Sequence, residues 1–242
     1  MITALIIGFV TGWLISMPIG PVSASVISRT LRYGARNGLF VSIGAGVMDF
    51  IYCGGAAQIH EFLQASPLIN LIFQITGLVV LVLVGIKTLT QRTTPDEEVA
   101  ESDRESQREA EKKVKRLHIK QTGFFAPFVM GVILYASNVA AVPEWIFISA
   151  LWRENGILEE GVLVNLFFAL GAGLGTLGWG YFLVRFIERR RRGFKPAFLA
   201  KINLVAGGAL LLFGLYFGYK IVFDTQWELV AQSWNANVLG KL

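Results

Sequence analysis

Pro18-Ile19-Gly20-Pro21 interrupts the first long apolar run of this 242-residue chain, and residues 138–143 interrupt the fourth run at a comparable depth. Proline has no backbone N–H and breaks the hydrogen-bond ladder of a helix, so each stretch predicts a helix that stops and restarts. Membrane proteins use helices broken at matching places of two halves to expose backbone polar groups to a solute. The two interruptions therefore predict a membrane protein with a solute site between its halves.

The composition indicates that a lipid bilayer surrounds most of this chain. Hydrophobic residues make up 54% and charged residues 16% of the sequence, and the mean hydropathy is +0.55. These values are too apolar for an ordinary soluble domain of this length. A helix needs about 20 apolar residues to cross the hydrocarbon core. We expect an all-α polytopic membrane protein with six transmembrane helices, of which helices 1 and 4 are broken, from the apolar segments 3–28, 38–60, 66–89, 123–151, 161–187 and 198–221.

The distribution of cations predicts the orientation of these segments, because Lys and Arg concentrate in short cytoplasmic loops of membrane proteins. The second connection holds no Lys or Arg and the fourth holds only Arg153. The other three connections are rich in cations. The first holds Arg29, Arg32 and Arg36, and the third holds Lys112, Lys113, Lys115, Arg116 and Lys120. The fifth holds Arg189, Arg190, Arg191, Arg192 and Lys195. Both termini are therefore expected on the extracytoplasmic side. The second triplet of helices then enters from the opposite face, which makes two inverted three-helix repeats.

These features divide the chain into four parts. Residues 1–90 form the first three-helix membrane half, and residues 122–221 form the second. Residues 91–121 are acidic first and basic last, and they predict a charged, solvated and partly helical cytoplasmic linker. A regulatory or partner-docking role is the alternative. Residues 222–242 carry Trp227 and Trp234 at helical spacing with Val230 and Val238, and they predict an extracytoplasmic amphipathic tail; a frayed tail is the alternative.

The prolines of the two breaks should leave backbone polar groups without helical partners. A proline frees the carbonyl four residues earlier, so Pro18 would free that of Leu14 and Pro143 that of Val139. Unpaired backbone cannot face lipid, and it must line a hydrated cavity or be repaired by neighbouring helices. We expect a polar solute to bind in such a cavity. Proline kinks that serve only helix packing are the alternative.

The half-helix that follows the first break offers a site for an anion. Pro21 comes after Gly20, and proline is favoured in the first turn of a helix. The N–H groups of Val22 and Ser23 would then be unpaired at the positive end of the helix dipole, which suits a carboxylate. Pro18, Gly20, Pro21 and Ser23 are therefore candidate substrate-binding residues.

Acidic and amide side chains inside the apolar segments extend the candidate site. Asp49 lies near the centre of the second segment, where a carboxylate costs roughly 2.5–3.5 kcal/mol on insertion scales, so we expect it to bind the coupling ion. A structural hydrogen-bond acceptor is the alternative. In the fourth segment, Asn138, Pro143 and Glu144 are candidate substrate-binding residues. Asn138 could instead bond a neighbouring helix, and Glu144 could instead lie in water at the outer rim.

Several classes of function find no support in the sequence. Cys53 is the only cysteine, and His60 and His118 have no companion ligands, so we expect neither a metal site nor a cofactor. The sequence contains no phosphate-binding glycine loop, so ATP-driven transport by this chain is not expected. It also shows no nucleophile paired with a base, so an enzyme is not expected. The sequence lacks a basic face interleaved with aromatic residues, so a nucleic-acid partner is not expected.

Glycines spaced four residues apart predict close contacts between helices. The pattern does not distinguish contacts within one chain from contacts between two copies in a homodimer. The pairs are Gly8 and Gly12, Gly171 and Gly175, and Gly214 and Gly218.

Three motifs in the first 50 residues are similar to those of one known family. They are the Pro18-Ile19-Gly20-Pro21 break, residues 32–39 and residues 44–49, which end in Asp49. Together they resemble the opening signature of the lysine-exporter (LysE/RhtB) family of amino-acid efflux transporters. The resemblance implies a six-helix bacterial inner-membrane exporter driven by an ion gradient. It also implies that the residues of the Pro18-Ile19-Gly20-Pro21 break and Asp49 are functional. One difference is that the family has Asn-Pro where this chain has Asn138-Val139, with the proline at Pro143.

The residues and the resemblance together predict a secondary transporter. It would export amino acids or related small zwitterionic metabolites across the bacterial inner membrane, coupled to a proton or sodium gradient. Its partners would be the amino-acid substrate, the coupling ion and membrane lipid. The alternatives are an ion or metal transporter of the same superfamily and a non-transporting membrane assembly protein.

Overall fold

The computed structural model of the chain describes residues 1–18, 20–63, 67–90, 99–116, 123–138, 141–189 and 196–224. The described residues are helical almost throughout, as expected for an all-α membrane protein. The helices are α1 (Ile2–Ser16), α2 (Pro21–Tyr33), α3 (Ala35–Leu63), α4 (Pro67–Thr90), α5 (Val99–Arg116), α6 (Phe125–Ala136), α7 (Ala141–Glu154), α8 (Val162–Arg189) and α9 (Pro196–Asp224). The predicted tail beyond residue 224 lies outside the described residues.

Two of the predicted apolar segments are broken helices, as the sequence indicates. The α1 and α2 helices meet at 78°, and α6 and α7 meet at 72°. In the described residues, α8 and the stretch Ala35–Gln58 of α3 are long and apolar enough to cross a membrane alone. Counting each bent pair as one span raises the number of candidate spans to four. The α4 and α9 helices contribute the shorter apolar stretches Gln74–Thr90 and Leu210–Phe223.

Glycines bring helices that are distant in the sequence into backbone contact. Gly8 and Gly12 of α1 lie against the backbone of α8, where Gly171 and Gly175 lie against α1. A second contact of the same kind joins Gly44 of α3 to the backbone of α6. Small residues allow this approach because no side chain separates the two backbones. The structure therefore places these glycine pairs in contacts within one chain.

The charged helix α5 is docked on the bundle, which differs from the prediction of a solvated linker. Ala110 and Val114 of α5 are 1% and 0% exposed. They belong to an apolar cluster with Ala126, Met130 and Leu134 of α6. The helix content of this segment was predicted from its sequence, but its burial was not. Two small apolar side chains one turn apart pack a face of α5 against α6.

Candidate functional site

The first break lies between Ser16 and Pro21, and local backbone hydrogen bonds form on both sides of Pro18. The N–H of Met17 donates to the carbonyl of Leu14 at 3.2 Å, and the N–H of Gly20 donates to that of Pro18 at 3.1 Å. The prediction that Pro18 leaves the Leu14 carbonyl unpaired is therefore wrong, because a tighter final turn supplies a donor three residues later.

The start of α2 has the geometry of an uncapped helix N-terminus. Gly20 is its N-cap in an extended conformation and makes no side-chain capping bond, and Pro21 occupies the first turn. The first regular helical bond runs from the N–H of Ala24 to the Gly20 carbonyl at 2.9 Å. The N–H groups of Val22 and Ser23 precede that bond and have no carbonyl one turn earlier within the helix.

The second break lies before Pro143 rather than at it. The α6 helix ends at Ala136, the N–H of Asn138 donates to Tyr135 at 2.9 Å, and the N–H of Ala141 donates to the Asn138 carbonyl at 3.1 Å. Pro143 then falls in the first turn of α7, where a missing N–H costs no helical bond. Pro143 thus lies in the first turn of the new half-helix, two residues after its start, whereas Pro21 is the first residue of α2. Val139 lies outside the described residues.

A cavity of about 340 Å³ lies where the two breaks meet. Its polar lining consists mostly of hydroxyl groups, and among the described residues that line it the only charged side chain is Glu144. Six of the predicted site residues line this cavity, whereas Pro143 and Asp49 do not. The six are Pro18, Gly20, Pro21, Ser23, Asn138 and Glu144.

The two half-helices that start at the cavity differ in their electrostatics. The first turn of α2 contains no acidic residue, whereas that of α7 contains Glu144. A helix N-terminus carries roughly half a positive charge. The positive end of α2 therefore has no acidic side chain in its own first turn, whereas that of α7 has Glu144.

Glu144 is buried, with 7% of its surface exposed. No described residue donates a hydrogen bond to it or forms an ion pair with it, although it lines the cavity. A buried carboxylate is costly unless a donor or cation meets it. Its placement in the cavity wall makes Glu144 a candidate partner for a positively charged group of a solute.

Asp49 lies behind the cavity wall and is surrounded by donors. It is 1% exposed. Its carboxylate accepts hydrogen bonds from the hydroxyls of Thr176 and Tyr135 and from the indole Nε1 of Trp145 at 2.7 Å. Thr176 and Tyr135 themselves line the cavity, and the Ser16 hydroxyl lies 2.9 Å from that of Thr176. Tyr135 and Thr176 thus each connect Asp49 to the cavity through a single hydrogen bond.

These donors to Asp49 were missed by the sequence reasoning. Tyr135 and Trp145 come from the two sides of the second break, and Thr176 comes from the middle of α8. A carboxylate buried in an apolar helix signals that donors exist, but it does not say which helix supplies them. Trp179 of α8 also lines the cavity.

Metal ligands are not grouped in the part of the chain that the structure describes. No three His, Cys, Asp or Glu side chains of those residues lie close enough together to hold a metal ion. Cys53 is buried as a free thiol. The polar groups in the described lining are hydroxyls, one amide, one carboxylate, the indole N–H of Trp179 and a helix N-terminus.

Comparison with known proteins shows the relationships of this chain. Residues 13–221 match the sequence profile of the family described as LysE type translocator. The chain is also 25% identical over 216 residues to a protein of Bacillus subtilis (strain 168) named "Putative amino acid efflux protein YcgF", which covers 87% of this chain and 93% of the relative. No solved structure matches the chain significantly.

Proposed function

The chain belongs to the LysE type translocator family, and from that premise we propose that it exports amino acids or related small zwitterionic metabolites across the bacterial inner membrane. As a member of this family it is a multi-pass membrane translocator and not an enzyme. Export would be secondary transport, coupled to a proton or sodium gradient. The name of the Bacillus relative, which refers to amino acid efflux, supports this substrate class.

The observation that carries the proposal is the cavity at the two breaks. Its wall includes Gly20 and Pro21 from the first bent pair and Asn138 and Glu144 from the second. A volume of about 340 Å³ lies within the range of small-molecule binding pockets. Substrate sites at paired broken helices are a recurring design of secondary transporters. The cavity therefore has the position, the size and the polarity for a small zwitterion.

The two ends of a zwitterion would meet different parts of this cavity. The uncapped N-terminus of α2, with Pro18, Gly20, Pro21 and Ser23 around it, would bind the substrate carboxylate. Glu144 would bind the ammonium group, because it is a buried carboxylate that no described residue pairs. Asn138 would complete the site with its amide, and Pro143 would set the start of the half-helix that carries Glu144.

Asp49 would bind the coupling ion. Two of its hydrogen-bond donors, Tyr135 and Thr176, form part of the cavity wall. Binding of a proton or sodium ion at Asp49 would turn those hydroxyls away from the carboxylate and change the polar groups that a substrate meets. This arrangement links occupancy of the ion site to occupancy of the cavity without requiring the substrate to touch Asp49.

The proposed architecture has six membrane spans in two inverted halves, residues 1–90 and 122–221, joined by a cytoplasmic linker at residues 91–121. Helix contacts support the repeat, because α1 packs on α8 in the same way as its counterpart α6 packs on α3, through glycines at both contacts. Both termini would be extracytoplasmic, as the cations of the connections indicate. Movement of one half against the other would expose the cavity alternately to the two sides.

Proteoliposome assays test recognition and coupling separately. Counterflow of labelled lysine, arginine, threonine and leucine should exceed that of empty vesicles for at least one of these amino acids. An imposed proton or sodium gradient should drive accumulation of the same amino acid, and Asp49→Asn should abolish this accumulation, while the loop variant Glu159→Gln keeps it. Counterflow equal to that of empty vesicles for the whole panel would refute amino-acid transport. Gradient-driven accumulation by Asp49→Asn at the normal rate would refute the coupling role.

A further inference from the structure

The helix between the two membrane halves reaches the cavity. Ser106 of α5 is among the residues that line it, together with Ser137 and Pro21. One to two turns further along α5, Ala110 and Val114 are fully buried. The most charged helix of the described chain therefore lies over the cavity and is not held away from the bundle in solvent.

An ion pair fastens α5 to the first membrane half. The Nη2 atom of Arg29 lies 3.5 Å from the Oε1 atom of Glu111. Arg29 is 3% exposed, and its Nη2 also donates to the Sδ atom of Met130 at 3.2 Å. A buried guanidinium needs an anionic partner to offset its desolvation. Docking of α5 supplies this partner, since Glu111 is the residue that pairs with Arg29.

The position of α5 joins two elements that belong to different halves of the protein. It packs on α2 through Arg29 and on α6 through the cluster of Ala110, Val114 and Met130. A helix fastened to both halves opposes their relative movement. It also covers the side of the cavity at which α2 and α6 come together.

We propose that α5 is a lid that closes the cavity on the face where Arg29 lies, and that it must leave its dock during each transport cycle. Closure of the cavity follows from the contacts of α5 alone, while the need for release rests on the proposed transport function. In the docked state, Arg29–Glu111 and the Ala110–Val114 face hold α2 against α6. Release would uncover the buried guanidinium and open the cavity to that side.

Thiol labelling in detergent tests whether α5 stays docked on this face, without any transport measurement. Ser25 is 0% exposed, and its hydroxyl lies 3.6 Å from the Sδ atom of Met130 beneath α5. In a Cys53→Ala background, Ser25→Cys should react slowly with a hydrophilic maleimide. Adding Glu111→Gln should raise the rate about two- to fivefold, as expected for losing a partly exposed ion pair.

A stronger variant and a matched control complete the labelling test. Val114→Asp places a carboxylate at a fully buried position, so it should undock α5 and raise the labelling rate of Ser25→Cys by about tenfold or more. Glu109→Gln changes an exposed acid of the same helix and should leave the rate unchanged. Rapid labelling of the parent protein, or an unchanged rate in Val114→Asp, would overturn the lid.

A reducible tether tests whether the lid must move. In the Cys53→Ala background, a bifunctional disulfide-forming reagent can bridge the two thiols of an Arg29→Cys, Glu111→Cys variant. A monofunctional reagent that caps both thiols is the control. Bridging should lower counterflow at least tenfold, and reduction should restore it. Full counterflow by the bridged protein would overturn the need for release. If the unaltered chain shows no counterflow, the transport proposal fails, while the labelling rates still decide whether α5 is docked as a lid on this face.

Discussion

Substitution of Gly12 by alanine should separate α1 from α8 and destabilise the protein. A Cβ atom at this position would lie 2.8 Å from the Cα atom of Ala172 and closer still to its carbonyl oxygen. Carbon atoms pack favourably at about 3.5–4.0 Å, so the helices would have to move apart by roughly 1 Å. Both obstacles are backbone atoms, which cannot rotate away as a side chain can. Overpacking of this kind costs about 1–3 kcal/mol.

The control for this substitution is Gly55→Ala, on α3. A Cβ atom at Gly55 would meet nothing within 4 Å. Both substitutions gain the same helix propensity, about 1 kcal/mol, so their difference isolates the steric cost. We expect Gly12→Ala to lower the free energy of unfolding by about 1–3 kcal/mol relative to Gly55→Ala, measured by denaturant titration in detergent micelles. Equal stability of the two variants would refute the backbone contact between α1 and α8.

Three further substitutions test the polar groups of the site and the bundle. Tyr135→Phe removes one donor to Asp49 and should cost about 1–3 kcal/mol of unfolding free energy, with slower gradient-driven uptake; unchanged stability and uptake would contradict the bond. Glu144→Gln should raise the KM for counterflow about ten- to hundredfold, because a hydrogen bond to a charged group contributes about 1.5–3 kcal/mol, and an unchanged KM would remove it from the site. Asn165→Leu deletes the acceptor that Arg153 contacts and should lower the unfolding midpoint, whereas a normal midpoint would show that this contact contributes nothing.

The two breaks were predictable because their signal is local. Pro21 after Gly20 is a helix-start pattern, and the structure begins α2 at Pro21. The hydrogen bond that the Leu14 carbonyl accepts was not predictable, because the last turn of a helix can tighten and supply the N–H three residues later. The proline of the second break also gave a misleading position for the interruption, since Pro143 lies inside the first turn of α7 and not in the gap.

The contacts that complete the site are long-range and leave little trace in the sequence. The donors to Asp49 are 86, 96 and 127 residues away along the chain, and each is a residue type that also occurs in ordinary helix packing. The docking of α5 is hidden for another reason. Ala110 and Val114 are two apolar residues in a highly charged helix, too few to produce the wide apolar stripe of an amphipathic helix.

Protection of a cavity thiol by substrate tests the central claim most directly, namely that a small solute binds between the two broken helices. Ser137→Cys in a Cys53→Ala background places a single thiol in the cavity wall, and Glu159→Cys in the exposed loop is the control. The hydrophilic maleimide should label both, and the amino acid that shows counterflow should slow labelling at position 137 but not at position 159. Labelling at position 137 that is unaffected by a saturating concentration of that amino acid would contradict the account.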